Sequence, residues 1–391
     1  MPGGSLTSSR IFRDYKVVAK LAESDVITSF TLALADGADA PAYRPGQYLV
    51  FRLLVNGAAV LRNYSVSGDP ADARVLRIAV KRESAPMAHV PAGLGSNHLH
   101  DHVRVGDILT AAGPMGDFVL CEASQRPVVL LSGGVGLTPM MCMLHRLVKS
   151  SQRRVFFIHA CENGKVHAFA NEVRALAGMR EGVAVHFCYR SPDSVDLGFH
   201  SQGLLAREQL QALLPLDDYD FYLCGPGLFM QANWRMLRGL GVDQQRIHYE
   251  FFGPATVLEE QGAPAEVVAE RVPVVPEASV SQAPTALPAI RKPEQMQVES
   301  NTAATGLQVS FMPSGTVVDW SDGCESLLEL AELSGLNPDF NCRAGLCNTC
   351  MSTLVSGQIE YFEPPLDDPP PGRMLLCCSR PLGPVVIEID A

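Results

Sequence analysis

Residues 259–306, EEQGAPAEVVAERVPVVPEASVSQAPTALPAIRKPEQMQVESNTAATG, hold six prolines and no aromatic residue. No helical or strand periodicity runs through them, and Pro/Ala-rich chains of this kind are extended, semi-rigid spacers rather than packed core. A chain of 391 residues interrupted in this way is expected to fold as a large unit before the linker and a small one after it. Charge divides at the same place. Residues 1–258 carry 25 Lys and Arg against 23 Asp and Glu, a net of +2, whereas residues 307–391 carry 3 against 12, a net of −9. An acidic module tethered to a near-neutral one is a poor nucleic-acid binder but a good candidate for electrostatic docking.

Cysteine usage narrows the class further. Eleven cysteines follow an N-terminus, MPGGSLTSSR, that lacks the apolar core of a secretory signal. A reducing, cytoplasmic compartment is expected, where clustered cysteines hold metal or do redox chemistry more often than they form disulfides. Six of the eleven lie in the last 70 residues, so the metal expectation is local to the C-terminal unit. No apolar run approaches the ~18 residues of a membrane span. The most apolar stretch, VVLLSGGVGLTPMMCML, is broken by glycines and a proline.

The large unit changes pattern midway. Over residues 11–120 short strands are predicted at 26–34, 47–55 and 75–83, separated by turn signals, which indicates an antiparallel β-barrel. Over 121–258 apolar strands at 127–132, 155–160, 183–189 and 219–224 alternate with helices at 137–149, 168–177, 203–213 and 227–239. That alternation indicates a parallel sheet covered on both faces, with ligands beyond the carboxyl ends of its strands. After the linker, strands are expected at 307–312, 316–320 and 384–390 and a helix at 325–333. So small a core would benefit from a metal staple.

Four short motifs carry chemistry. In LRNYSVSG a strand end offers Arg62, Tyr64 and Ser65: a guanidinium suits a phosphate, a ring suits stacking, and a hydroxyl suits a heterocycle nitrogen. In GLGSNHLHD, Gly93, Gly95 and Ser96 precede a short helix; Ser96 is expected to cap it, and a helix start is an anion site. His98, His100 and His102 in the same segment lack the partners a metal site needs. In LSGGVGLTPM, Gly134 and Gly136 lead into Thr138 and a helix, so the backbone can approach a dinucleotide, although the G-x-G-x-x-G spacing is absent. In YLCGPG a second strand ends in Cys224, Gly225 and Pro226; the bland reading of Cys224 is a small buried hydrophobe.

Together, in this order and spacing, these motifs resemble the ferredoxin-NADP reductase superfamily over roughly residues 11–256. With the phrases YRPGQY (43–48), AVKRE (79–83), ENGKVHAFANEV and HYEFFGP, the match tightens to the reductase half of the flavohemoglobins. The resemblance implies an FAD-binding barrel and a nicotinamide-binding α/β domain, with FMN as the alternative flavin. It implies that Arg62 holds the flavin phosphates, Tyr64 packs on the isoalloxazine, Ser65 hydrogen-bonds near N5, and Gly95 and Ser96 bind the pyrophosphate. Gly134, Gly136, Thr138, Cys224, Gly225 and Pro226 would flank the nicotinamide, and Glu250 and Phe252 would close the site beside the flavin. Ser65, Cys224, Glu250 and Phe252 are accordingly the expected catalytic residues. Only ten residues precede the match, so no globin or heme is expected, and nitric oxide dioxygenation is not carried over.

The last motif is NCRAGLCNTC, with Cys342-x4-Cys347-x2-Cys350, the plant-type [2Fe–2S] spacing. A zinc site would favour two C-x2-C pairs or histidine partners, and no histidine follows His248. CRAGLCNTC also resembles the plant-type ferredoxin loop, which implies a β-grasp domain over 307–391. The fourth ligand falls in LLCCSRP, where Cys377 and Cys378 are adjacent. In the ferredoxin pattern two small residues follow the ligand, which favours Cys377 and leaves Cys378 as the alternative.

The expected function is therefore an oxidoreductase. It takes a hydride from NADH (NADPH if Arg190 and Ser191 bind a 2′-phosphate), passes electrons through FAD to a [2Fe–2S] cluster, and delivers them to a partner protein. A two-electron donor and a one-electron carrier need a flavin between them. The expected partner is the oxygenase component of a Rieske-type system. A hybrid-cluster protein comes next, and a diiron or P450 hydroxylase follows. A redox sensor without turnover, or a zinc-stabilised binding protein, is the reading from a different class. No nucleic acid or membrane partner is expected.

Overall fold

The computed structural model describes residues 9–84, 93–252, 307–320, 323–340 and 342–389. The expected linker, 259–306, and the end of the HYEFFGP stretch, Gly253 and Pro254, lie outside the described residues.

Strands β1 (Arg13–Ala22), β2 (Ile27–Leu34), β3 (Tyr48–Val55), β4 (Ala58–Ser65), β5 (Leu76–Lys81) and β6 (Ile108–Met115) form one sheet in the order β4-β3-β6-β1-β2-β5. All its pairings are antiparallel. A bridge from Val66 to Ile78 joins the two edges and closes the barrel. Alternation turns Tyr15, Val17, Phe30, Leu32, Leu49 and Phe51 into its interior. β1 was not anticipated because only Tyr15 and Val17 of its ten residues are buried, which leaves a weak apolar signal.

Helix α1 (Leu94–Asp101) covers the barrel interior with Leu99. The Lys20 ammonium donates to the carbonyls of His100 and Val103, both at 2.7 Å, and so closes the helix C-terminus. The expected cap at Ser96 is corrected: Gly93 occupies the N-cap position and makes no side-chain cap bond. Ser96 sits one turn in, where its Oγ donates to the Gly93 carbonyl at 3.1 Å and accepts from the Glu83 amide at 3.2 Å. The tertiary contact to Glu83 takes the hydroxyl that a cap would use. His100 is likewise committed: Nε2 lies 2.9 Å from the Val80 carbonyl and Nδ1 3.3 Å from Thr28 Oγ1.

Strands β7 (Val128–Gly133), β8 (Val155–Cys161), β9 (Val183–Tyr189), β10 (Ser201–Gln202), β11 (Asp220–Gly225) and β12 (Ile247–Phe251) form the second sheet. Its order is β10-β9-β8-β7-β11-β12, and every pairing is parallel. Side chains such as Val128, Leu130 and Phe157 pack on one face with residues of α2 (Leu137–Ser150) and α3 (Ala170–Ala177). Val129, Leu131 and Ile158 pack on the other with residues of α4 (Arg207–Leu213) and α5 (Gly227–Gly239). That double cover is why β7 is buried throughout and apolar but for Ser132. The first face also reaches Ile27 and Ala79 of the barrel. There Arg77 binds Glu172 through two contacts of 2.8 Å, and His145 Nε2 meets the same carboxylate at 2.7 Å.

Two imidazoles are buried in this layer. His159 Nδ1 lies 2.9 Å from Ser132 Oγ, and His167 Nδ1 lies 2.8 Å from the Tyr189 hydroxyl. Both Nε2 atoms lack a hydrogen-bond partner. Burial holds both groups below their usual value; nearby Arg174 helps push His167 down to about 4. The folded chain thus keeps them neutral, whereas the unfolded chain protonates them as pH drops below about 6.5. Stability is expected to be fully present above that pH and to be lost toward pH 4, with about 2 kcal/mol gone through His167 alone by pH 5. Thermal melts at pH 7 and pH 5 check this: the midpoint should drop by several degrees, and by less in His167→Asn. Equal midpoints in the parent chain would remove the assignment.

The third sheet comprises β13 (Gln308–Met312), β14 (Thr316–Asp319), β15 (Met351–Ser356), β17 (Arg373–Leu375) and β19 (Val385–Glu388), ordered β14-β13-β19-β15-β17. β16 (Ile359–Tyr361) pairs separately with β18 (Ser379–Pro381). Helix α6 (Leu327–Leu333) is capped by Ser326, whose Oγ accepts from the Glu329 amide, while the Glu329 carboxylate accepts from the Glu325 amide. Its Leu327, Leu328 and Ala331 pack on Val309, Phe311, Met374 and Ile387. Cys350, Cys377 and Cys378 sit in that core.

Candidate functional site

One cleft of about 1180 Å³ is lined by Arg62, Tyr64, Ser65, Gly95, Ser96, Thr138, Glu250 and Phe252, together with Cys342 and Cys347. Residues from all three sheets thus face a common space.

The barrel supplies its floor. β4 ends at Ser65, and the start of α1 lies beside it. Gly95 is required there: a Cβ at that position would stand 2.8 Å from Arg62 Cγ, so glycine lets the arginine lie across the helix start. The Arg62 guanidinium donates to its neighbour's carbonyl, that of Leu61, at 2.7 Å and otherwise borders the cleft. Ser65 Oγ and Asn63 Oδ1 are buried in the cleft wall without a protein partner. Such orphaned groups fit a heterocycle that offers donors and acceptors at its edge. The described residues therefore fit an FAD.

The parallel sheet supplies the opposite wall. After β7 the chain turns through Gly134, at φ +52°, and Gly136 into α2. A Cβ on Gly136 would lie 2.2 Å from the Cys224 carbonyl oxygen, and one on Gly225 would lie 3.1 Å from the Gly133 amide nitrogen. These glycines let the two turns touch, and that contact places Val135 and Thr138 on the cleft. Gly134, Gly136, Cys224, Gly225 and Pro226 do not themselves line it. The Cys224 side chain is fully buried in the core beneath α2, and burial, with Glu250 beside it, pushes its thiol up. It is paired in register with Glu250. Glu250 Oε2 has no partner, and burial and then Asp117 raise the carboxyl to about 8. At neutral pH this group holds a proton at the rim of the cleft. Phe252 lines the same rim and is 37% exposed.

The cysteine loop closes the third side. Arg343, Gly345 and Asn348 all have positive φ, which turns the backbone amides inward. The Leu346 amide donates to Cys342 Sγ at 3.2 Å and the Gly345 amide to Cys377 Sγ at 3.3 Å. The Cys342 thiol is within hydrogen-bond reach of Cys347 and Cys377, and Cys377 reaches Cys342, Cys350 and Cys378. Cys342, Cys347, Cys350 and Cys377 therefore form one contiguous set, while Cys378 joins it through Cys377. A Cβ on Gly345 would lie 2.9 Å from Cys378 Sγ. Among the described residues no three His, Cys, Asp or Glu side chains are arranged around a single ion. A two-iron cluster instead spreads four thiolates over two centres, which fits this set.

Several residues at the site had no assigned role in the sequence reading: Tyr48, Asn63, Asp117 and Leu346. Tyr48 lies in YRPGQY, so its presence was signalled without its position. Leu346 packs with Tyr48, Val50, Leu61, Ala112 and Met115 of the barrel. Arg52 pairs with Asp367 at 2.9 Å and stacks on Phe12, its guanidinium 3.8 Å from the ring centre. Arg10 pairs with Glu363 at 2.9 Å. The electrostatic docking expected from net charge thus has specific partners.

Comparison with known proteins agrees with this division. Family models described as an oxidoreductase FAD-binding domain, an oxidoreductase NAD-binding domain and a 2Fe-2S iron-sulfur cluster binding domain match residues 14–120, 130–234 and 310–382. The flavohemoprotein of Bacillus cereus is 45% identical over 254 residues, 63% of this chain. The chain spans 62% of that relative's length. The crystal structure of the flavohem-like FAD/NAD-binding domain of nitric oxide dioxygenase from Vibrio cholerae is 41% identical, with a TM-score of 0.56, and covers 62% of this chain and 99% of that one. Phthalate dioxygenase reductase, whose structure is described as modular for electron transfer from pyridine nucleotides to [2Fe-2S], matches 97% of this chain and 98% of its own at a TM-score of 0.54. At 22% identity that likeness concerns the fold.

Proposed function

Because the chain belongs to the ferredoxin-NADP reductase superfamily and carries a [2Fe–2S] domain behind the reductase module, we propose that it supplies electrons from NADH to the oxygenase component of a Rieske-type non-heme iron system. It is an NAD(P)H-dependent oxidoreductase that uses FAD and a [2Fe–2S] cluster. The observation that carries the reading is the single cleft shared by Ser65, Thr138, Glu250, Cys342 and Cys347.

When bound, the flavin supplies the exchange between a hydride, which carries two electrons, and the single electrons an iron–sulfur cluster accepts. The chain's own work is positioning. Arg62 and the α1 start hold phosphate, and Ser65 Oγ and Asn63 Oδ1 orient the heterocycle edge. The touching turns at Gly136 and Gly225 set where the nicotinamide lies, and protonated Glu250 keeps an uncompensated charge off the rim. Cys342, Cys347, Cys350 and Cys377 hold the cluster, with Cys378 packed beside them. NADH is favoured by the loop after β8, where Arg190 faces Glu162 at 3.8 Å. A carboxylate there suits a free ribose hydroxyl and opposes a 2′-phosphate. A site built of four thiols belongs in a compartment that keeps them reduced, so we place the protein in the cytoplasm.

The test is steady-state reduction with NADH and NADPH, first of ferricyanide and cytochrome c, then of a panel of purified Rieske oxygenase, hybrid-cluster and P450 components. NADH is expected to be the better donor, and a Rieske component should be reduced fastest. Faster transfer to either other class would reassign the partner while leaving the reductase chemistry in place.

A further inference from the structure

β5 of the barrel and α2 of the α/β domain each carry residues to the cleft and another to a charged cluster beyond it. Alternation puts Arg77, Ala79 and Lys81 on one face of β5. Ala79 and Lys81 line the cleft, and Ala79 also packs in the core shared with the parallel sheet. On α2, Thr138 lines the cleft, and His145 follows seven residues later on the same helix face. At that far end Arg77 grips Glu172 of α3 through both Nη atoms, each at 2.8 Å. His145 Nε2 donates to the same carboxylate at 2.7 Å.

The surroundings hold this contact in place. Arg77 Nη2 also donates to the Ser67 carbonyl at 2.7 Å, and the guanidinium lies 4.6 Å from the ring centre of Phe169. Phe169 precedes α3 with a φ of +59°, a conformation that costs energy for any residue but glycine. Its ring, buried in the core and covered by Arg77, keeps it there. Burial alone would raise the Glu172 carboxyl, yet hydrogen bonds from His145 and Arg77 hold it down to about 2, so the carboxylate stays ionised at any working pH. Lys149, one turn beyond His145, pairs with Asp69 of the barrel domain.

We propose that Arg77, Glu172 and His145 are positioning residues for hydride transfer: their three-way contact fixes the tilt of the α/β domain against the barrel, and so the gap that the C4 hydrogen of NADH must cross. The proposal concerns the nicotinamide half of the reaction and holds whichever protein receives the electrons. NADH gives up a hydride, with its two electrons, to the flavin and leaves as NAD+; none of the three side chains enters that balance. Seven residues of helix separate His145 from Thr138, about 10 Å, so a tilt of about 6° at the cluster moves the nicotinamide wall by about 1 Å. A displacement of that size costs a reacting pair about 10²-fold. The shared core of Ile27, Ala79, Leu137 and Phe157 survives loss of the contact and limits the tilt.

The test uses the full chain loaded with flavin and cluster. Stopped-flow bleaching over a range of NADH concentrations gives a limiting rate and a Kd separately. Arg77→Lys keeps the charge but loses the two-point grip, and Glu172→Gln keeps the shape but loses the charge. Each should lower the limiting rate by about tenfold and leave the Kd for NADH within about twofold. The combined variant should be no slower than the slower single one, because both changes break the same contact. A second readout involves no turnover. After dithionite reduction, NAD+ stacked on the flavin should give the parent a long-wavelength charge-transfer absorbance, and each variant a weaker one at saturation. Bleaching by dithionite reports an intact flavin site, and Arg77→Lys carries the test if Glu172→Gln fails to fold. Parent-like limiting rates, slowing that appears wholly in Kd, a combined variant slowed by the product of the two single factors, or equal long-wavelength absorbance in parent and variants would overturn the proposal.

Discussion

Cys377→Ser is expected to abolish the visible spectrum of the cluster and to cut NADH-dependent cytochrome c reduction by roughly tenfold or more, since loss of a ligand removes the cluster itself. NADH-driven flavin bleaching should stay within about twofold of the parent, because the thiol lies outside the cleft wall. Cys378→Ser should leave the spectrum near normal. Both thiols are buried and adjacent, so burial does not separate them. Their neighbours do. Cys377 reaches Cys342 and Cys350 and accepts from the Gly345 amide, whereas Cys378 reaches Cys377 and fills the space that Gly345 leaves. A serine at 377 replaces the sulfur that links the two halves of the set, and one at 378 replaces a packing group. If the two variants behaved in the opposite way, the fourth ligand would be Cys378.

Gly136→Ala should slow hydride transfer from NADH by about a hundredfold with the flavin still bound. The added Cβ would meet the Cys224 carbonyl oxygen at 2.2 Å, its carbon at 2.4 Å and the Gly225 nitrogen at 2.7 Å. These are backbone atoms of a fully buried strand, so no side chain can swing aside. The turn must retreat by about 1 Å, and a misplacement of that size in a reacting pair typically costs about 10²-fold. Stopped-flow bleaching by NADH measures the step, and bleaching by dithionite serves as the control that reports an intact flavin site. Retention of the parent rate would mean that contact between the two turns is not what positions the nicotinamide.

How much of this was legible beforehand varies by element. β7 and β11 announced themselves because both faces of the parallel sheet are covered, so every residue in them is buried. β1 did not, because its exposed side chains hide a strand in which only Tyr15 and Val17 point inward. Ser96 illustrates a local rule losing to a distant contact: its position invited a helix cap, but the amide of Glu83 takes its oxygen. The glycines of the GGVG turn signalled a close approach. Only the structure shows that the Cys224–Gly225 peptide makes the approach from the neighbouring strand.

The sequence by itself determined the modules and their cofactors, because those depend on residue types at fixed short spacings: Arg62 to Ser65, Gly134 to Thr138, and the three cysteines from 342 to 350. It also placed the acidity that favours docking, since net charge needs no coordinates. The tertiary structure decided what each group faces. It set Cys377 rather than Cys378 against Cys342 and Cys350, buried Glu250 beside Asp117 until its carboxyl holds a proton, and matched Arg10 and Arg52 to Glu363 and Asp367. The two arginine–carboxylate pairs join residues more than 300 positions apart. Such contacts arise from packing whole faces together, and no local pattern along the chain records which face will meet which.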